Sequence, residues 1–368
     1  MEHHLAGAAP LWAESARRHG LIEPDLNRLR PVFGDAIVRP ADDKPVRRPH
    51  YGAAAARRAA KGWDTPPMRL KAALLLTLLA APCLPAQAQE LTGTLRKVKE
   101  RGALTLGYRD ASVPFSYLDG NQKPVGYAYE ICLKVAEAVK AHLKLDQLEV
   151  KLNPVTSATR IPLIANGTID LECGSTTNNA DRQRQAAFTN THFLTATRFV
   201  AKKEKGLDRT DDLKGRTVVS TSGTTSIRQI NEINAARGLG MRILPAKDHA
   251  EAFLMVETGR ADAFVMDDVL LAALVAGAKT PEAYAISSEA QSRPEPYAIM
   301  LRKDDAPFKA VVDAATAALY TSPEGRALYD RWFTQAIPPR GINLHLPLSE
   351  AMRKVLSSPS DSADPAAY

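Results

Sequence analysis

Cysteine is scarce in this 368-residue chain, with three residues at Cys83, Cys132 and Cys173. None stands in a Cys-x-x-Cys pair or in a histidine-rich cluster, so metal binding is not expected and no cofactor is implied. Charge of one sign is also lacking where it matters. Residues 1–88 carry 13 of the 48 basic and 8 of the 41 acidic residues, so the remainder has a formal charge of +2 rather than +7. Aromatics make up 6% of the chain, and no Arg/Lys stripe is interleaved with them, which removes the pattern of a nucleic-acid binder. There is no Ser-His-Asp order, paired-carboxylate motif or metal-ligand spacing, so no catalytic residue is assigned and an enzyme is not expected.

Long hydrophobic runs are absent with one exception. Residues 72–84, AALLLTLLAAPCL, follow Met68-Arg69-Leu70-Lys71 and precede Pro85-Ala86-Gln87-Ala88. The run is too short to span a bilayer as a mature helix. Its basic flank and Ala-x-Ala exit are those of a secretory signal peptide at 68–88, cleaved after Ala88. Pro82 directly before Cys83 disfavours a lipoprotein reading. A signal peptide works near a chain start, so Met68 is expected to be the true one and residues 1–67 a non-native or unstructured extension. The product is expected to be exported to the periplasm, where Cys132 and Cys173 can form at most one intramolecular disulfide.

What is present is an α/β alternation long enough for two domains. Its centre is ANGTIDLECGSTTNNADRQRQAAFTN, Ala165 to Asn190. A strand at Ile169–Cys173 runs into Gly174-Ser175-Thr176-Thr177, with Arg182 following. Small hydroxyl residues after a strand, before a helix start and near a guanidinium, suit an anion or small polar molecule. An ordinary strand-to-helix loop with Ser and Thr caps is the alternative. A second strand, Thr217–Ser220, repeats the device into Thr221-Ser222-Gly223-Thr224-Thr225-Ser226. Further strands end at Arg109, near His249 and at Asp267-Asp268. In open α/β sheets such strand ends line the ligand crevice. Helices are expected near 91–101, 129–142, 249–258, 269–276, 308–320 and 325–333, and Ser349 can cap a last one. The Ser/Asp/Pro/Ala end, 357–368, is expected to be frayed.

The strings GYRDASVPFSYLD, PVTSATRIPLIANGTIDLECGSTTNNADRQRQAAFTN, STSGTTS, AKDH, FVMDD and LRKDD resemble the periplasmic glutamate/aspartate-binding proteins of ABC amino-acid importers, solute-binding protein family 3. The likeness runs from about residue 90 to 356. It implies a bilobal type II periplasmic-binding-protein fold, two α/β lobes joined by two crossover strands. Lobe 1 would comprise 90–196 plus 297–368 and lobe 2 197–296. It also implies capture of L-glutamate or L-aspartate by a monomer that delivers it to an inner-membrane ABC permease with its ATPase.

The resemblance assigns Arg182, Thr177 and Thr225 to the α-carboxylate and Asp267 with Ser175 to the α-ammonium. Arg109, Arg160, Ser157 and His249 fall to the side-chain carboxylate, which an arginine fork matches bidentately. From the residues alone, Arg109 and Arg160 could be surface groups, His249 an unengaged helix start, and Asp268 the inward carboxylate instead of Asp267. Affinity in the micromolar range, about −8 kcal/mol, or tighter is expected. A lyase-type enzyme or a sensory ligand-binding protein on the same fold are the competing readings.

Overall fold

The computed structural model describes residues 91–368, so the expected signal peptide at 68–88 and the expected extension at 1–67 lie outside the described residues. The described chain opens with helix α1, Gly93–Arg101, which buries Leu95 and Val98. Gly102 ends it in the left-handed conformation, its N–H reaching Val98 O at 2.9 Å, a role suited to glycine. Strand β1 follows at Ala103–Tyr108. A small three-stranded sheet, β2 Ala111–Ser112, β3 Ser116–Leu118 and β4 Pro124–Val125, leads into helix α2, Tyr127–His142. Then come β5 Glu149–Pro154, α3 Arg160–Ala165, β6 Leu171–Glu172, α4 Ala180–Gln183 and β7 Ala186–Phe188.

The chain leaves this lobe through β8, Phe193–Thr195, and enters the second at β9, Thr197–Lys202. The second lobe runs β10 Thr217–Thr221, α5 Thr225–Arg237, β11 Arg242–Ala246, α6 His249–Glu257, β12 Ala263–Asp267, α7 Asp268–Ala276 and β13 Tyr284–Ile286. It returns through β14, Glu295–Tyr297, to β15, Met300–Arg302, and the helices α8 Ala306–Tyr320, α9 Pro323–Phe333 and α10 Glu350–Ser357.

Each lobe is a five-stranded sheet, β5-β1-β6-β15-β7 in the first and β11-β10-β12-β9-β13 in the second. The alternation of strand and helix suggests largely parallel sheets, and in each observed sheet four of the five strands point the same way. Three of these four pair side by side in parallel, and the strand reached from a crossover, β15 or β9, runs the other way and pairs antiparallel with both neighbours. The two crossovers pair with each other, Glu295 opposite Thr195 and Tyr297 opposite Phe193. Aromatic rings clamp this hinge on the first lobe's side. Phe193 stacks on Phe333 at 4.9 Å, and Phe115 meets Tyr297 edge-on at 5.2 Å. Such pairs add to the area they bury.

Two local expectations change. Residues 357–368 are tied down: Thr191 N donates to Ser360 O at 2.8 Å, Asn178 Nδ2 to Asp361 O at 2.9 Å, and Lys309 pairs with Asp361 at 2.9 Å. A polar, aperiodic segment reads as frayed because the groups that hold it lie far away in the sequence. The pairing of the two cysteines, left open by the sequence, is realised as a Cys132–Cys173 disulfide with Cα atoms 6.0 Å apart. It ties α2 to the strand end that carries Gly174 and Ser175.

A cross-link over 41 residues should contribute about 4 kcal/mol through the unfolded chain. Replacing both cysteines by alanine is therefore expected to lower the melting temperature by about 10 °C, read by calorimetry. A shift of only a degree or two would mean that the bond adds nothing to stability.

Candidate functional site

All nine residues singled out from the sequence are buried, and they lie at strand ends, in the loops that follow them or in first helical turns, where the two lobes meet. At one end of the groove, β1 delivers Arg109 and the start of α3 delivers Arg160, each only 2% exposed. Surface arginines they are not. Arg109 donates through Nη2 to Ser157 Oγ at 2.7 Å, and Arg160 through Nη1 to Ser175 O at 3.2 Å. Between them lies Glu172, fully buried on the central strand β6, its Oε1 3.9 Å from Nη1 of each guanidinium. Its Oε2 accepts the Thr176 hydroxyl, which in turn accepts from Arg160.

Two cations thus share one carboxylate. Arg109 Nη1 and Arg160 Nε find no hydrogen-bond partner in the protein, nor does Ser175 Oγ. Gly174 permits the approach, since a Cβ there would lie 2.5 Å from Glu172 Oε1 and 2.8 Å from Arg109 Cγ. Burial lowers the Arg109 pKa to about 10, with repulsion from Arg160 adding and Glu172 opposing. It therefore stays cationic at neutral pH.

His249 faces the same end from the second lobe. It starts α6, whose cap is Asp248 accepting from Glu251 N at 2.9 Å. Its Nδ1 lies 2.9 Å from Thr221 Oγ1, and Nε2 is buried without a partner. Burial, then the charges of Arg109 and Arg160, hold the ring well below the usual histidine range, so it is neutral at pH 7.

At the other end stand Thr177, Arg182, Thr225 and Asp267. Arg182 is held by the Asn179 cap of the short α4, and burial lowers its pKa to about 9. It donates to Thr177 O at 2.9 Å and across the groove to Gly223 O at 3.2 Å, leaving three of its five N–H donors. Thr225 is the first residue of the 13-residue helix α5, so its backbone N–H has no intrahelical partner and sits at the positive end of the helix dipole. Asp267 accepts from Tyr297 OH and from Ser226 Oγ at 3.1 Å. Burial, then the nearby Glu295, push its pKa up to about 7. Asp268, the alternative carboxylate, turns to the crossover and accepts from Thr195 Oγ1 at 2.6 Å.

The lobes touch over the site. Gly223, at φ +78°, packs so closely on the first lobe that a Cβ would lie 2.6 Å from Ala158 Cα. At the groove's edge Arg228 pairs with Asp181 at 2.7 Å. Three residues that complete the site escaped sequence reasoning: Glu172, Glu295 and Tyr297. A glutamate set between Leu171 and Cys173 in the stretch IDLEC was the available signal for the first. The other two lie on a crossover whose pairing no local pattern reveals. Among the described residues no group of three His, Cys, Asp or Glu side chains could hold a metal ion.

This geometry coincides with relationships along the chain. Residues 104–335 match the family model for bacterial extracellular solute-binding proteins, family 3. A protein of Pseudomonas aeruginosa named L-glutamate/L-aspartate-binding protein is 52% identical over 299 residues, 80% of this chain and 99% of that protein. The glutamate/aspartate import solute-binding protein of Escherichia coli is 44% identical over 297 residues, 80% of this chain and 98% of its own length. Among solved structures, a mutant of ArgBP from T. maritima superposes with a TM-score of 0.59 at 26% identity, covering 65% of this chain and 99% of that one. Two α/β lobes on paired crossovers, converging charged side chains in the groove, and a family match over most of the described residues lead to one conclusion: the chain belongs to the bacterial extracellular solute-binding proteins of family 3.

Proposed function

We propose that this protein captures L-glutamate or L-aspartate in the periplasm, after cleavage of its signal peptide, and delivers it to an inner-membrane ABC permease with its ATPase. It acts as a monomer and without chemistry on its ligand. The observation that carries the reading is the pair Arg109–Arg160 sharing Glu172, with donors on both guanidiniums left over. The names of the relatives at 52% and 44% identity support it.

In this reading the side-chain carboxylate meets Arg109, Arg160, Ser157 and His249. The α-carboxylate meets Arg182 and the N-terminus of α5, where Thr225 N–H is free to donate. The α-ammonium meets Asp267 and Ser175. A neutral amino acid would leave the surplus positive charge of the two buried guanidiniums uncompensated, a loss of several kcal/mol relative to an acidic one. Groups from both lobes touch the ligand only when the lobes meet, so the ligand shifts the population toward the closed form.

Calorimetry of the exported protein against the common amino acids tests this directly. Micromolar or tighter binding of L-glutamate or L-aspartate is expected, and a preference for an uncharged solute would overturn it. Arg160→Ala should weaken acidic ligands at least about 100-fold, since it leaves a buried anion unpaired, while lowering the melting temperature only slightly. Unchanged affinity would remove Arg160 from the site.

Gly223→Ala should block full closure by striking Ala158. Scattering should show less compaction with ligand, and affinity should fall at least about tenfold. Full compaction in this variant would show that the lobes need not meet there.

Acid should weaken binding. The ligand ammonium favours ionised Asp267, so the complex binds fewer protons than the free protein, whose Asp267 titrates at about 7. Affinity for L-glutamate is expected to fall by up to about tenfold per pH unit below pH 7 and to be flat above it. Calorimetry at pH 6 in buffers of different ionisation enthalpy should record proton release; proton uptake would contradict this assignment.

A further inference from the structure

We propose that Glu295, on the crossover strand β14, makes the site require an amino group by fixing the hydrogen-bond direction of one hydroxyl from each lobe. The proposal rests on the reading above and deepens it. Glu295 is 6% exposed and belongs to neither lobe's main sheet. Its Oε2 accepts from Thr177 Oγ1 of the first lobe at 2.8 Å and from Thr225 Oγ1 of the second at 3.0 Å. Its Oε1 accepts from the Gln229 side-chain amide. Three donors converge on one carboxylate, which as an ion can only accept.

A threonine hydroxyl has a single proton and two lone pairs. Both protons are directed at Glu295, and the two hydroxyl oxygens lie 3.4 Å from each other. Toward the groove these hydroxyls can only accept. They cannot donate to a ligand carboxylate, which must rely on Arg182 and backbone N–H groups instead. This alters the role that the resemblance gave them. Two residues along the strand from Glu295, Tyr297 donates to Asp267, so the two lone-pair-bearing oxygens stand at the end of the site that holds this carboxylate; they suit an ammonium and are left without a donor by any ligand that lacks one. Glu295 touches no ligand in this scheme. It is a positioning residue that acts through Thr177 and Thr225.

The test compares L-glutamate with glutarate, which carries the same two carboxylates and no amine. The wild-type protein is expected to bind glutarate at least a hundredfold more weakly. In Glu295→Ala the hydroxyls are free to turn their protons into the groove, and the glutamate-to-glutarate ratio should shrink at least tenfold. Glu295→Gln keeps an acceptor oxygen for both hydroxyls, while Gln229 can turn its amide to match, so it should retain most of the ratio. Parallel loss of both ligands in Glu295→Ala with an unchanged ratio would overturn the proposal, as would equal loss of discrimination in Glu295→Gln.

Should Glu295→Ala not fold, Thr177→Val combined with Thr225→Val leaves the carboxylate and the packing volume in place. It removes the same acceptors and must narrow the ratio; no narrowing overturns the proposal. Failure of the wild-type protein to bind either acidic amino acid would instead sink the functional reading itself.

Discussion

Two guanidinium groups share one buried carboxylate, and the remainder of the site depends on that imbalance. Glu172 could not be buried on a central strand without a cation beside it, because the desolvation of a lone carboxylate exceeds what its neighbours return. One arginine would neutralise it. Arg109 and Arg160 together leave a surplus positive charge with unused donors on each fork. The surplus sits where water is largely excluded, so an incoming anion is worth far more there than at the surface. His249 completes this end without adding to the charge, because burial, helped by the same two arginines, holds it neutral.

The opposite end carries the complementary problem. Asp267 and Glu295 lie close enough to raise Asp267 by mutual repulsion on top of burial. Tyr297 and Ser226 offset this only in part. A cation is wanted here and an anion at the arginines' end. Topology keeps the two demands apart: the arginines come from the first lobe's β1 and α3, whereas Asp267 ends β12 of the second. The crossover strand places Glu295 and Tyr297 between them, touching both lobes. A residue on the hinge can sense closure because its partners reach it from both sides.

The alternation of strands and helices was legible in the sequence almost throughout, since most elements carry clear periodicity or caps. Ala103–Tyr108 and the helix from His249 fall where the pattern predicts them. The single reversed strand of each sheet was not legible. A crossing strand has the same letters whether it enters a parallel or an antiparallel ladder, so β9 and β15 give no local sign of their antiparallel pairing. The order of residues 357–368 was hidden for a related reason, as its partners, Asn178, Thr191 and Lys309, are remote in sequence. Charged residues at strand ends could be picked out by chemistry. The carboxylates that hold them, Glu172 and Glu295, could not, because their roles arise only when separate strands are brought side by side.

In the proposed reading, a zwitterion bearing a second carboxylate would supply each end of the groove with the charge it lacks, with the lobes closed over it. That couples affinity to motion. Turning a population from one part in a hundred closed to ninety-nine requires a differential affinity of about 10⁴, or about 5.5 kcal/mol. Micromolar binding provides about 8 kcal/mol in all, so closure would consume most of it unless the protein contributes contacts of its own. It does: Arg182 reaches Gly223 O across the groove, Arg228 pairs with Asp181, and Glu295 takes a hydroxyl from each lobe. Exposed pairs such as Arg228–Asp181 add little individually, whereas the buried bonds to Glu295 form away from solvent competition. The hinge carboxylate thereby lowers the share of ligand affinity that closing the lobes must use, while the arginine pair decides which ligands can bring the remainder.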